Sequence, residues 1–379
     1  MSKQKVELLS PAGNLEKLKI AIKYGADAVY GGVSHFSLRI RASKEFTYET
    51  FKEAIDYAHE RGKKVYATIN GFPFNSQIEL LKTHIKKMAE LKPDAFIVAA
   101  PGVVRLCREI APQIDIHLST QANVLNYLDA QVFWDMGVKR IVVAREISLK
   151  DVMEIKKHLP DMEIEIFVHG SMCFAYSGRC LISAVQMGRV PNRGSCANDC
   201  RFEYTLYAGN DEHGSLFRLE EEPGVGTYIF NSKDMNLASH IQEILDSGAV
   251  DSLKIEGRTK SPYYAAVTAK AYREAIDDYY ENKFDASKYQ KELHTTKNRG
   301  FTDAYLIHKP FEKLDSQNHD YALSKGSYEV TGLVTEDEHH FLCKYKVYPN
   351  EDIEIFTPHN TVLDTCENEI GKVFKKEDG

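Results

Sequence analysis

Short apolar strands alternate with amphipathic helices along the first 160 residues and again near residue 250, and nothing else in the chain constrains its fold as tightly. Period-two apolar runs predict strands at 6–9, 28–30, 64–69, 95–98, 114–118, 140–143 and 163–168. Helical spacing fills the gaps, at 48–61, 76–91, 123–136 and 149–158 among others. An eighth strand fits 252–255, with a helix expected before it at 236–246 and a long one after it at 262–280. Strands joined by helical crossovers pair in parallel. A doubly wound sheet shares that alternation, but eight units predict an α/β fold of the (β/α)8, TIM-like barrel type.

The spacing breaks once. Residues 169–234 form an insertion that leaves strand seven at its C-terminal end, the face where barrel enzymes keep their active sites. So long a non-periodic stretch, rich in aromatics and cysteines, predicts a functional insert rather than a linker. The expected organisation is therefore a barrel over 1–285 that includes the insert, a polar bridge over 286–325, and a small β-barrel-like domain over 326–379.

Four of the seven cysteines sit in the insert: Cys173, Cys180, Cys196 and Cys200, with gaps of six, fifteen and three residues. No apolar run is long enough to span a bilayer, and the start, MSKQKVELLSPAG, lacks the apolar core of a signal peptide. The expectation is a cytoplasmic protein with no membrane partner. Structural disulfides are rare there, so clustered cysteines read as metal ligands or redox groups. Four thiolates complete a tetrahedral zinc site or hold one [4Fe–4S] cluster. Zinc folds usually present two close pairs, and here only Cys196 and Cys200 are close, which favours the cluster. Unlinked or redox cysteines are the alternative. His169, just before the segment, is either a site residue or a buried structural histidine. Cys107 reads as core, and Cys343 and Cys366 as isolated thiols.

A formal net charge of −7 argues against a wholly basic nucleic-acid binder, but binding depends on where charge sits. Arg179, Arg189, Arg193, Arg201, Lys254, Arg258, Lys260, Lys297 and Arg299 converge on one expected face. Such a patch suits a phosphate backbone or an acidic small molecule, against the plainer reading of ordinary surface charge. Phe174, Tyr176 and Phe202 could stack on bases there or pack the insert. Asn70, His117, Ser119, Gln121, Arg145, Glu146 and Glu256 lie at strand ends, where polar residues contact substrates or cap helices. The sequence has no GxSxG, HExxH or GxxxxGK[ST] motif.

The run Glu165-x-Phe167-x-x-Gly170-Ser171-Met172-Cys173, followed by Gly178-x-Cys180-x-Ile182-Ser183, resembles the signature of the peptidase U32 family. ELLSPAGN near the N-terminus, Ala28 to Gly32, Ser252 to Arg258 and Asn298 to Thr302 resemble further family blocks. The resemblance implies that Cys173, Cys180, Cys196 and Cys200 hold a [4Fe–4S] cluster. The family was named for collagenase-like proteolysis, but its better-understood bacterial members are iron–sulfur proteins that hydroxylate RNA or quinones. This pattern is most similar to members that convert the tRNA wobble uridine to 5-hydroxyuridine with prephenate as oxygen donor. The resemblance thus implies tRNA, a small dicarboxylate co-substrate and an electron donor as partners. Asn70, Gln121, Arg179, Arg193, Arg201, Lys254 and Arg258 would hold tRNA phosphates and the dicarboxylate, while His169, Glu256 and Arg145 would shape the reacting pocket. Two alternatives stand beside it. A U32-type peptidase needs a nucleophile or hydrolytic metal that no ordered motif supplies. A non-catalytic RNA-binding protein would use the cysteines for structural zinc.

Overall fold

Eight parallel strands close on themselves in the computed structural model, which describes residues 5–33, 36–38, 46–205, 207–210, 214–218, 230–308, 316–318, 326–328, 330–334, 341–343, 355–358 and 361–362. They are β1 (Glu7–Pro11), β2 (Ala28–Gly31), β3 (Lys64–Ile69), β4 (Ala95–Val98), β5 (Asp115–Leu118), β6 (Arg140–Val142), β7 (Glu163–Ser171) and β8 (Ser252–Ile255). Each pairs with the next, and β8 pairs with both β7 and β1, which closes the barrel. Helices cross over between strands, the longest being Pro262–Tyr280 after β8. Several helices begin where the sequence supplies a side-chain cap: Asn14, Thr47, Asn126, Ser148 and Ser261 each accept a first-turn backbone N–H. The expected TIM-like barrel is therefore the fold observed.

The main core lies between the strands and the helices, built from residues such as Leu8, Leu18, Phe51, Phe96, Ile164 and Tyr272. Inside the barrel a smaller apolar layer gathers Leu9, Ala28, Tyr30, Tyr66, Ala95 and Ile97. Beside it the interior also holds buried charge, unlike the branched aliphatic filling usual for this fold. Arg140 is held by Glu7 (2.5 Å), Glu163 (2.6 Å) and Glu165 (3.1 Å), and Lys254 by Glu165 (2.7 Å). Every one of these charges has an opposite partner, the condition on which charge is tolerated in an interior.

One irregularity in β7 redirects the chain. Ser252, Leu253 and Lys254 face Glu165, Ile166 and Phe167 in turn, but Ile255 faces His169, so Val168 is an extra residue. The bulge shifts the alternation by one place. Glu165 and Phe167 stay on the inner face, and His169 turns out toward the helices. Beyond it β7 continues to Ser171 and pairs antiparallel with the short strand Asp234–Asn236, where the insertion returns. Asn236, expected to start a helix, instead ends that strand, and the following helix runs Ile241–Asp246.

Within the stretch read as a bridge, Ala286–His294 forms a helix whose Tyr289 and Leu293 join the main core, and Phe301–Thr302 pairs with Asp234–Met235. In the insert, Tyr207–Asn210 and Ser215–Arg218 form a hairpin. Of the expected C-terminal β domain, the described residues include two short antiparallel pairs, Gly332–Val334 with Phe341–Cys343 and Ile355–Phe356 with Thr361–Val362. Residues 372–374, which the sequence pattern predicts as the last strand of that domain, and Cys366 lie outside the described residues. Among the described residues no helix is long and apolar enough to cross a membrane.

Candidate active site

The open end of the barrel, where the strands finish, carries a cavity of about 120 Å³ roofed by the insert. Its floor is the top interior layer of the barrel: Tyr30, Thr68, Ile97, Val142, Phe167 and Lys254. Its rim holds Asn70, Gln121, Arg145, Glu256 and Arg258, and its roof holds Cys173, Cys180, Cys196 and Cys200. Residues more than 170 positions apart in sequence thus meet in one place.

The insert is tied down at the end of β6. Ser177 sits in left-handed backbone conformation (φ 42°, ψ 37°), which is costly for a side chain with a Cβ. Glu146 accepts its backbone N–H at 2.7 Å and its hydroxyl proton, and the backbone N–H of Arg145 donates to Ser177 Oγ at 3.0 Å. Two glycines permit close approaches around the same rim. A Cβ on Gly170 (φ +112°) would lie 2.4 Å from the carbonyl oxygen of Glu256, and one on Gly13 would lie 2.0 Å from that of Arg258.

All four cysteines are half-buried thiols. Cys180 has its pKa raised first by a hydrogen bond with Cys173 and then by burial, and Cys200 has its raised by burial and by Cys173 and Cys196. The four sulfurs therefore sense one another across the cavity roof. Crowded thiols of this kind are stabilised when a cation takes the place of their protons. Among the described residues no three His, Cys, Asp or Glu side chains are grouped as a single metal ion needs. Four half-buried thiols on one cavity roof are a donor set that would suit a four-iron cluster.

The charged residues of the rim are paired and aimed. Arg145 reaches Glu256 at 3.3 Å and lies 4.0 Å from the centre of the Phe167 ring. Arg258 is buried and donates to Ser37 Oγ at 2.7 Å, to Thr68 Oγ1 at 3.3 Å and to the carbonyl of Leu38. Asn70 accepts from the backbone of Leu38 at 3.1 Å, so it shapes the loop after β2. Gln121 Oε1 and both carboxylate oxygens of Asp199 line the cavity, buried and without hydrogen-bond partners among the described residues. Buried acceptors left this way are open to a donor, whether water or a ligand.

The other expected site residues go elsewhere. His169 is buried, with Nδ1 3.3 Å from Tyr272 Oη and its ring among Tyr264, Tyr272 and Phe301. Burial holds its pKa down at about 3. It does not line the cavity, because the bulge at Val168 turns it outward. His117 sits inside the barrel edge-on to Tyr66 at 4.5 Å, and burial pushes its pKa well below the usual range. Arg299 is buried against Asp234 at 2.5 Å and takes no part in a basic face. Arg179 donates to the Gln121 carbonyl at 2.8 Å, and Arg193 bonds Gln77 at 3.0 Å and lies 4.3 Å over Phe74, while Arg201 lies near Cys200. Phe174, Tyr176 and Phe202 are exposed. Tyr30, Ser177 and Asp199 are site residues that sequence reasoning passed over. Tyr30, at the end of β2, was the one with a legible signal.

Residues 13–316 match the model of peptidase family U32. The chain belongs to that family. A U32 relative in Helicobacter pylori (strain ATCC 700392 / 26695), named tRNA hydroxylation protein P, is 67% identical over 98% of this chain and 88% of its own length. A protein of the same name in Escherichia coli (strain K12) is 39% identical over 98% of this chain and 91% of its own. A relative named collagenase, from Porphyromonas gingivalis (strain ATCC BAA-308 / W83), is 31% identical over 79% of this chain and 73% of its own.

Proposed function

We propose that this U32 protein is a cytoplasmic enzyme of tRNA hydroxylation that converts the wobble uridine to 5-hydroxyuridine, with a [4Fe–4S] cluster on Cys173, Cys180, Cys196 and Cys200 and prephenate as oxygen donor. One observation carries the reading: four thiols on the roof, Arg145 and Arg258 on the rim and Lys254 on the floor share a single cavity at the barrel's open end. The names of the H. pylori and E. coli relatives support tRNA as the substrate.

When bound, the cluster supplies electron transfer at the cavity roof. The protein's own residues do the rest. Arg258, fixed by Ser37 and Thr68, and Arg145, fixed over Phe167, present guanidinium groups to the carboxylates of a small acid. Gln121 Oε1 and Asp199 offer unused acceptors to an N–H donor such as a nucleobase edge. Arg179, Arg193 and Arg201 stand in the insert for phosphates, with Tyr176 and Phe202 exposed for stacking.

The collagenase-like alternative has less to draw on. Among the described residues no histidine lines the cavity, so its serines and cysteines lack the imidazole base of the Ser-His or Cys-His hydrolytic pairs.

The test is anaerobic purification followed by iron, sulfide and zinc analysis and a visible spectrum, with nucleoside mass spectrometry of tRNA from a deletion strain. A brown protein with about four irons, lost in Cys196→Ala, and 5-hydroxyuridine restored only by the intact gene are the expected results. A colourless protein with one zinc would sink the redox reading.

A further inference from the structure

The cavity floor holds a primary amine, Lys254, whose role in the proposed function is that of a charge alone. It comes inward from β8 just before the point where the register with β7 shifts. Its side chain is 5% exposed, and that residue lines the cavity. Nζ lies 2.7 Å from Glu165 Oε1, 4.3 Å from the centre of the Tyr30 ring and 5.6 Å from that of Phe167. The same two rings carry the rim's arginines: Arg145 lies 4.0 Å from Phe167, and Arg258 lies 6.0 Å from Tyr30. An amine and two guanidinium groups thus line the floor and rim of one small cavity.

The surroundings favour a nucleophilic amine. Burial lowers the Lys254 pKa and Arg140 adds to this, against the opposing pull of Glu165 and Glu256. Desolvation beside other cations is how lysines are readied for imine chemistry. Guanidinium groups in the same cavity are the usual partners of a carboxylate.

We propose that Lys254 forms an imine with the carbonyl carbon of a keto acid whose carboxylate is held by Arg145 and Arg258. The inference rests on the proposed function for an acidic co-substrate and deepens it by assigning that co-substrate a covalent anchor. Glu165, 2.7 Å away, takes one proton from the ammonium. The freed nitrogen lone pair attacks the carbonyl carbon, and the carbonyl electron pair moves to oxygen, which takes one proton from the newly bonded nitrogen. The nitrogen then expels that oxygen as water, using the proton Glu165 had taken. One ammonium and one carbonyl give one iminium ion and one water, with no oxidant or reductant. The face of Tyr30 and the Glu165 carboxylate both stabilise the resulting cation.

The experiment treats the full-length protein separately with pyruvate and with prephenate in the presence of cyanoborohydride, then maps adducts by peptide mass spectrometry. The expected result is one reduced adduct, on Lys254, formed at keto-acid concentrations that leave surface lysines unmodified, and absent in Lys254→Arg. The mapping of the unmutated protein decides the matter even if that variant fails to fold. No adduct, or adducts spread over surface lysines with Lys254 spared, overturns the imine. Wobble 5-hydroxyuridine is scored in parallel. Hydroxylation without an adduct removes the imine and leaves the proposed function standing. An adduct on Lys254 with no 5-hydroxyuridine dependent on this chain does the reverse.

Discussion

Glu146 holds Ser177 with both carboxylate oxygens, one on its backbone N–H and one on its hydroxyl, and thereby keeps a non-glycine residue in left-handed conformation. This clamp joins the end of β6 to the segment that carries Cys173 and Cys180. Hydrogen bonds to a charged group are worth about 1.5–3 kcal/mol, enough to hold a strained turn. Glu146→Ala is expected to speed hydrogen exchange across residues 172–181 and to lower cluster content after reconstitution, with little change in the barrel strands. Unchanged exchange in that stretch would show the clamp to be incidental.

The barrel itself was legible in the sequence because its signal is local. Periodicity placed β3, β4 and β8 at the bounds observed, and the break in spacing located the insert. What was not legible depends on partners far away in sequence. Asp234–Asn236 is a strand because the tail of β7 and Phe301–Thr302 pair with it, and three residues carry no period of their own. His169 directly precedes the cysteine segment, so it was read as either a site residue or a buried structural histidine, and simple alternation after Glu165 and Phe167 would point it inward. The extra Val168 reverses its direction, and only the register with β8 reveals this. Ala286–His294 was read with the polar bridge because only Tyr289 and Leu293 of its nine residues are buried. The four cysteines could be seen as a group, but their meeting with Arg145, Glu256 and Lys254 is a product of the closed barrel.

The outward turn of His169 has a consequence for acid stability. Burial lowers its pKa from 6.5 to about 3, so between those values the unfolded chain binds the proton and the folded chain does not. The contribution is fully present above pH 6.5 and is lost as pH falls toward 3. At pH 5 the loss reaches about 2 kcal/mol, from 1.36 kcal/mol per unit. His117, also depressed by burial, adds in the same direction. Urea unfolding of the wild type and His169→Gln at pH 7 and pH 5 measures it. The variant is expected to lose less stability between the two pH values. Parallel losses would mean that His169 is already protonated in the folded protein.

The charged barrel interior makes a second stability prediction. Glu165 is fully buried and serves both Arg140 and Lys254. Removing one member of such a group leaves uncompensated charge and costs about 3–5 kcal/mol. Glu165→Leu should therefore lower the unfolding free energy by that amount. Adding Lys254→Met should recover part of it, since only Arg140 is then left with fewer partners, and Glu7 and Glu163 still hold it. If the double variant is no more stable than the single one, the two side chains are not energetically coupled.

The arginines of the insert bear on how a chain with net charge −7 would bind a polyanion. The protein as a whole repels tRNA at long range, so attraction must come from a local face. Arg179 and Arg193 are each anchored by one hydrogen bond, and Arg201 stands beside the cysteine roof, whereas Arg299 is buried on Asp234. An arginine that neutralises a phosphate releases counterions, so removing one such arginine should reduce the slope of log affinity against log salt by about 1. Arg179→Ala with Arg201→Ala is thus expected to lower the slope by about 2 and to weaken tRNA binding most at low salt. Arg299→Lys should affect thermal stability through its buried partner and leave the slope alone. Filter binding of tRNA over a salt series reads both effects. An unchanged slope in the double variant would move the tRNA-binding face away from the insert and separate RNA recognition from the cavity it roofs.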